Sequence, residues 1–191
     1  MKKAVTLLLM LSLTILPARA QREGTQDIAL TWGVVSLPQT AYLLGDLFGV
    51  IFTAGHFNPQ NTRFTGAFGA EYTYWVNTWL GVGGDMTFDH MNSDILDEKT
   101  NEITGHYRMT AYSLMPSAKA SWFNHEKVGM YSKVSAGAAL FDTNGDDSPT
   151  VTFAFQVSPV CVDFGGKHLR GIVNIGYGFQ GLVIVGLKYT L

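Results

Sequence analysis

The chain has 191 residues with 13 basic and 15 acidic side chains, a formal charge of −2, so it has no basic stripe to neutralise nucleic-acid phosphates and nucleic acid is excluded as a partner. Charged residues make up 15%, against about 25% in an ordinary soluble domain, while 13% are aromatic, 21 are Gly, and the lone Cys161 rules out an internal disulfide framework. Beyond the N-terminal segment no apolar run of about 18 residues occurs, which excludes a transmembrane helix; the composition is that of a membrane protein without one.

The opening "MKKAVTLLLMLSLTILPARAQ" places Lys2 and Lys3 before an apolar run from Ala4 to Leu16 and a small-residue site ending at Ala18 and Ala20. That order predicts a secretory signal peptide over 1–20, with the mature domain at 21–191. Without Lys2, Lys3 and Arg19, ten basic residues face fifteen acidic ones.

From Asp27 onward the hydrophobic period becomes two, as in half-buried strands. In "DIALTWGVV", Ile28, Leu30, Trp32 and Val34 share one face. The insertion after this segment differs. Ser36 can cap a helix with Pro38 in its first turn, and Leu37, Ala41, Leu44, Leu47, Phe48 and Ile51 recur at helical spacing. A short helix over 37–53 is expected, lying along the rim or folding over the mouth as a lid.

Alternation then returns in "RFTGAFGAEYTYWV" (Phe64, Phe68, Ala70, Tyr72, Tyr74, Val76), with Thr65, Ala67, Gly69, Glu71 and Thr73 opposite, and in "WLGVGGDMTF" (Leu80, Val82, Met86, Phe88). "AYSLMPSAKASW" aligns Tyr112, Leu114, Pro116, Ala118, Ala120 and Trp122. "VGMYSKVSAGAAL" aligns Val128, Met130, Val134, Ala136, Ala138 and Leu140, and "VTFAFQVSPVC" aligns Val151, Phe153, Phe155, Val157, Pro159 and Cys161. "LRGIVNIGYGF" aligns Leu169, Val173, Ile175, Tyr177 and Phe179; the eighth segment, "LVIVGLKYTL", aligns Val183, Val185, Leu187, Tyr189 and Leu191. Short connections ("VNTW", "FNHEK", "FGGKH") alternate with longer ones at 36–61, "DHMNSDILDEKTNEITG" and "DTNGDDSP", and the last, near "FQG", is tight. Short turns at one end and long loops at the other, with an even strand count, are the pattern of outer-membrane barrels.

A soluble calyx would alternate in the same way, so the second face decides. It carries mostly Gly, Ala, Ser and Thr, with at most one or so charges per strand. That suits a confined lumen better than a hydrated surface, since eight strands enclose a space that side chains can fill. Glu71, Asp85, Lys119 and Lys133 fall on four successive strands with inward parity; buried charges persist only when paired, so these four are expected to form an ion network across the lumen. On the other face Tyr74, Trp79, Trp122 and Tyr189 sit near the short-turn end as one interfacial girdle, and Phe64, Phe88, Phe153, Tyr177 and Phe179 near the long-loop end as the other.

These segments, "NIGYGFQGLVIVGLKYTL" above all, resemble the small eight-stranded outer-membrane barrels of the OmpA/OmpX type. The resemblance implies an all-β, eight-stranded antiparallel up-and-down transmembrane barrel in the bacterial outer membrane, covered by membrane lipid and lipopolysaccharide. It implies that the barrel assembly machinery reads the terminal strand, with Tyr189 as the penultimate aromatic; Leu191 stands where the family carries Phe. A monomer with no cofactor, no metal and no catalysis is expected, in a structural or surface-interaction role. The alternatives are a lipid-A-modifying enzyme, for which His56, His90, His106, His125 and His168 assemble no recognisable motif, and a small ion channel.

Overall fold

A strand with one apolar and one polar face satisfies both in a bilayer only when its sheet closes on itself, because hydrocarbon offers no partner to an open edge. This chain closes. The computed structural model describes residues 22–41, 59–96, 103–144 and 148–191. Its strands are β1 (Gln26–Val34), β2 (Pro59–Trp75), β3 (Leu80–Leu96), β4 (Ile103–Asn124), β5 (Val128–Thr143), β6 (Thr150–Gly165), β7 (Leu169–Gly178) and β8 (Val183–Thr190). They form a closed barrel in sequence order, sealed by antiparallel pairing of β1 with β8 from Asp27↔Thr190 to Val34↔Val183. Residues 1–20, the expected signal peptide, lie outside the described residues.

The barrel is inside out relative to a soluble protein. Ile28, Leu30, Met86, Leu114, Val134, Val157, Ile175 and Leu187 point outward and are exposed, whereas Glu71, Asp85, Lys119, Lys133, Gln156, Ser158 and Asn174 are buried inside. Across four strands the pairing aligns Trp32 with Phe68, Phe68 with Phe88, and Phe88 with Tyr112, an outward aromatic row.

Three of the facings expected from the sequence are reversed. Cys161, expected on the apolar outer face, is completely buried in the lumen. The cause lies at Pro159, which has no N–H to give the ladder and sits in a bulge: the register jumps from Tyr131↔Cys161 to Lys133↔Ser158 on one side, and between Val157 and Val160 on the other. Ser132 Oγ donates to the Pro159 carbonyl oxygen at 2.6 Å, and the parity of every later β6 residue is reversed. Phe179, expected in the outer girdle, is 3% exposed and packs inside with Met115, Ala139 and Ala154, because the tight β7–β8 turn swings it in through Gly178. That glycine has φ 144, and a Cβ there would lie 2.1 Å from the Phe155 carbonyl oxygen. Thr65, expected inside, is exposed: a register shift between Phe64 and Ala67 contains Gly66 at φ 81, and Trp32 Nε1 donates to the Thr65 carbonyl oxygen at 2.9 Å.

One of the expected long loops, "DHMNSDILDEKTNEITG", is largely strand. β3 runs to Leu96 and β4 starts at Ile103, paired from Leu80↔Ala120 to Leu96↔Ile103. Beyond the aromatic row the apolar alternation that marks a strand is lost while the backbone ladder continues. Of the helix expected over 37–53, residues 37–41 are helical and 42–53 lie outside the described residues.

Candidate functional site in the lumen

The lumen is filled in three layers. In the middle one, Glu71 lies directly opposite Asp85 on β2 and β3, and Lys119 directly opposite Lys133 on β4 and β5. Each pair alone places like charges side by side, which is destabilising. Across the lumen they meet: Lys119 Nζ is 2.8 Å from Glu71 Oε2, Lys133 Nζ is 2.6 Å from Glu71 Oε1, and 3.2 Å from Asp85 Oδ2. Lys133 also donates to Gln180 Oε1, Gln180 Nε2 to Glu71 Oε1 at 3.2 Å, and Ser135 Oγ to Asp85 Oδ2 at 2.6 Å. Lys119 Nζ sits 5.3 Å from the centre of the Tyr131 ring.

A second ionic layer lies toward the short turns. Asp163 accepts from Arg170 Nη1 at 2.6 Å, Lys188 Nζ at 2.7 Å and Arg22 Nη2 at 2.8 Å. Asp27 accepts from Trp75 Nε1 at 2.8 Å and Thr190 Oγ1 at 2.6 Å, with Lys188 Nζ 3.4 Å away. The Arg22 guanidinium stands over Trp75, 4.7 Å from the ring centre. Strict alternation turns Asp163 toward lipid, so sequence reasoning missed this hub; Pro159 in mid-strand is the signal that marks it. Asp27 was legible, being next to outward Ile28, whereas nothing near Arg22 distinguishes it.

The third layer closes the long-loop end. Phe179, Met115, Ala139 and Ala154 pack there with Leu37 and Phe141 against them. Val35, a β-branched residue at φ 58, turns the chain inward after β1. Such a backbone costs about 1–3 kcal/mol and persists because the helical turn after it is tied to β3: Ser36 Oγ donates to Asp89 Oδ2, and Gln39 Nε2 lies 3.1 Å from both Asp89 oxygens. Gln39 Oε1 accepts from the Val35 amide at 3.1 Å, and the Thr40 amide donates to the Ser36 carbonyl oxygen at 2.9 Å. Of the two placements open to the insertion, its first turn takes the mouth.

Tyr74, Trp79, Trp122 and Tyr189 all point outward and are exposed, as is Leu191. Of the histidines, His90 Nδ1 meets Thr110 Oγ1 at 3.0 Å and His168 Nδ1 meets the Thr190 carbonyl oxygen at 3.1 Å.

No protein-family profile matches the chain, and no curated protein matches it. Solved structures similar to it include the N-terminal β-barrel domain of Pseudomonas aeruginosa OprF (TM-score 0.48, 8% identity, covering 88% of this chain and 98% of that one). Ail, the attachment invasion locus protein of Yersinia pestis, is also similar (TM-score 0.43, 15% identity, 88% and 99%), as is a de novo designed transmembrane β-barrel (TM-score 0.44, 11% identity, 90% and 98%). The architecture of this chain is a closed, eight-stranded, up-and-down barrel, apolar outside and ionic within.

Proposed function

We propose that the protein is a non-enzymatic outer-membrane barrel whose plugged lumen makes it a rigid stalk and whose long-loop end is a surface for interaction with other molecules. Outer-membrane lipid, lipopolysaccharide included, covers the apolar face, and Tyr189 and Leu191 present the terminal strand to the barrel assembly machinery. The barrel acts as a monomer. Its buried lysines and carboxylates are engaged with one another, which leaves them unsuited to a conducting path or to proton transfer.

One observation carries the interaction role: the wall outgrows the barrel beneath it. β1, β7 and β8 have 9, 10 and 8 residues, about what a tilted strand needs to span a membrane, whereas β2 to β6 have 16 to 22. β1 pairs with β2 only as far as Gly33↔Ala67, and β6 with β7 only as far as Gln156↔Gly178. Among the described residues the taller sheet therefore runs past its neighbours at both edges, and because hydrocarbon tolerates no unpaired edge, these stand on the water side. The β2 edge is blunted by Pro59 and two register shifts. The β6 edge reads "TVTFA", uncharged and unbulged, with Val151 and Phe153 exposed, a template for an added strand.

An epitope inserted after Asn144 should be reached by antibody on intact cells, and the purified protein should pass no steady current in planar bilayers. An epitope reached only after outer-membrane permeabilisation would reverse the orientation and remove the surface role.

A further inference from the structure

We propose that the cup at the short-turn end of the barrel is a binding site for a phosphate group, drawn by surplus positive charge at its floor. The cup has a volume of about 830 Å³. Its floor is the second ionic layer, where Arg22, Arg170 and Lys188 meet only two carboxylates, Asp163 and Asp27. One positive charge is left over among groups that are each less than a tenth exposed. A buried charge without a counter-ion is costly, and an anion entering from the open end supplies one.

A second observation points to the same ligand. Arg170 is fully engaged, its three nitrogens donating to Asp163 Oδ1 and to the carbonyl oxygens of Gly166 and Glu126. Arg22 is not: it is 7% exposed, Nη2 is bonded to Asp163, and Nη1 has no hydrogen-bond partner although solvent does not reach it. An arginine donor withheld from both water and protein, in a side chain that lines the cup, is a guanidinium fork with one prong unused. Oxyanions accept from such forks in charge-assisted bonds.

Phosphate fits better than a carboxylate. Among the rim side chains Lys127 and Lys167 are balanced by Glu23 and Glu126, so the side-chain surplus belongs to the floor. A phosphate carries up to two charges and several terminal oxygens, so it can meet the Arg22 guanidinium once that side chain turns Nη1 into the cup, while another oxygen faces a rim lysine. The same group can arrive on a soluble phosphate ester or on a phospholipid headgroup curling over the rim. The site lies at the opposite end from the β6 edge, so its fate and that of the surface role are decided separately.

The test is calorimetric titration of the full mature chain in a maltoside detergent, which carries no phosphate, with inorganic phosphate, glycerol 3-phosphate and acetate, beside binding of phosphatidylglycerol doped into the micelles. Saturable binding of phosphate or its ester, with acetate much weaker, is expected. Binding to the soluble compounds assigns the soluble source, and binding confined to phosphatidylglycerol assigns the headgroup. Two substitutions move the floor in opposite directions. Arg22→Gln leaves it neutral and should weaken binding about tenfold, while Asp27→Asn raises the surplus and should tighten it by a similar factor; should one variant fail to fold, the other still decides. Absence of saturable binding, equal binding of acetate, or unchanged affinity in the folded variants would overturn the proposal.

Discussion

Glu71 shows what a single residue does in this lumen. Two lysines hold its two oxygens at 2.6 and 2.8 Å, so Glu71→Gln leaves two ammonium groups facing one another with Asp85 alone to compensate. The expected loss is about 3–5 kcal/mol. Lys133→Met in the same chain should restore part of it, because the pair is then removed together. A double-mutant cycle from urea unfolding in micelles reads the coupling, and strictly additive losses would show that the contact does no energetic work. Cys161 gives a second residue-scale expectation. Buried in the lumen with its Sγ 3.6 Å from the Ser158 carbonyl oxygen, it should resist a small lipophilic maleimide in the folded barrel and react once the protein is boiled. Labelling of the folded form would place the thiol on the outer face.

The bulge at Pro159 is the element-scale counterpart. A strand's facing is a matter of counting, and one extra residue reverses every side chain beyond it. Deleting Pro159 removes that extra residue, so plain alternation should keep Cys161 and Asp163 inward and the compact, heat-modifiable gel band should survive; deleting Val162 instead should turn Asp163 outward, strip Arg22, Arg170 and Lys188 of their shared carboxylate, and abolish the band. Pro159→Ala keeps the count and should keep the band. On β5, Val134 faces outward at mid-strand and is 53% exposed. Val134→Lys should therefore cost about 2–4 kcal/mol, the penalty for lysine near a bilayer midplane, while Asp142→Lys near the upper end of the same strand should cost little. Equal costs in unfolding titrations would refute the assignment of β5's outer face.

For the whole molecule, the three layers act in series. Ions crossing the barrel would have to pass the Asp163 cluster, the Glu71 network and the apolar plug of Phe179, Met115 and Leu37. Removing one layer with Glu71→Ser and Lys133→Ser together should leave planar bilayers free of steady conductance; a persistent open channel in that variant would mean the other two layers do not seal. In the proposed surface role, the short β7 and β8 beside the tall β2–β6 sheet also set where an added strand is tolerated, since the wall rises past its neighbours there.

The sequence by itself determined the strand count, the outward and inward faces of most strands, and the inward parity of Glu71, Asp85, Lys119 and Lys133, because lipid on one side and a confined lumen on the other impose a period of two on every spanning residue. Only the tertiary structure decided the rest. A bulge is a relation between two strands, so neither Pro159 nor Gly66 discloses alone how far its neighbours shift. Asp163 meets Arg22 across 141 positions of chain, a distance that no local pattern encodes. The wall beyond the aromatic row reads as loop because its apolar alternation is lost there, while the backbone ladder that makes it strand continues.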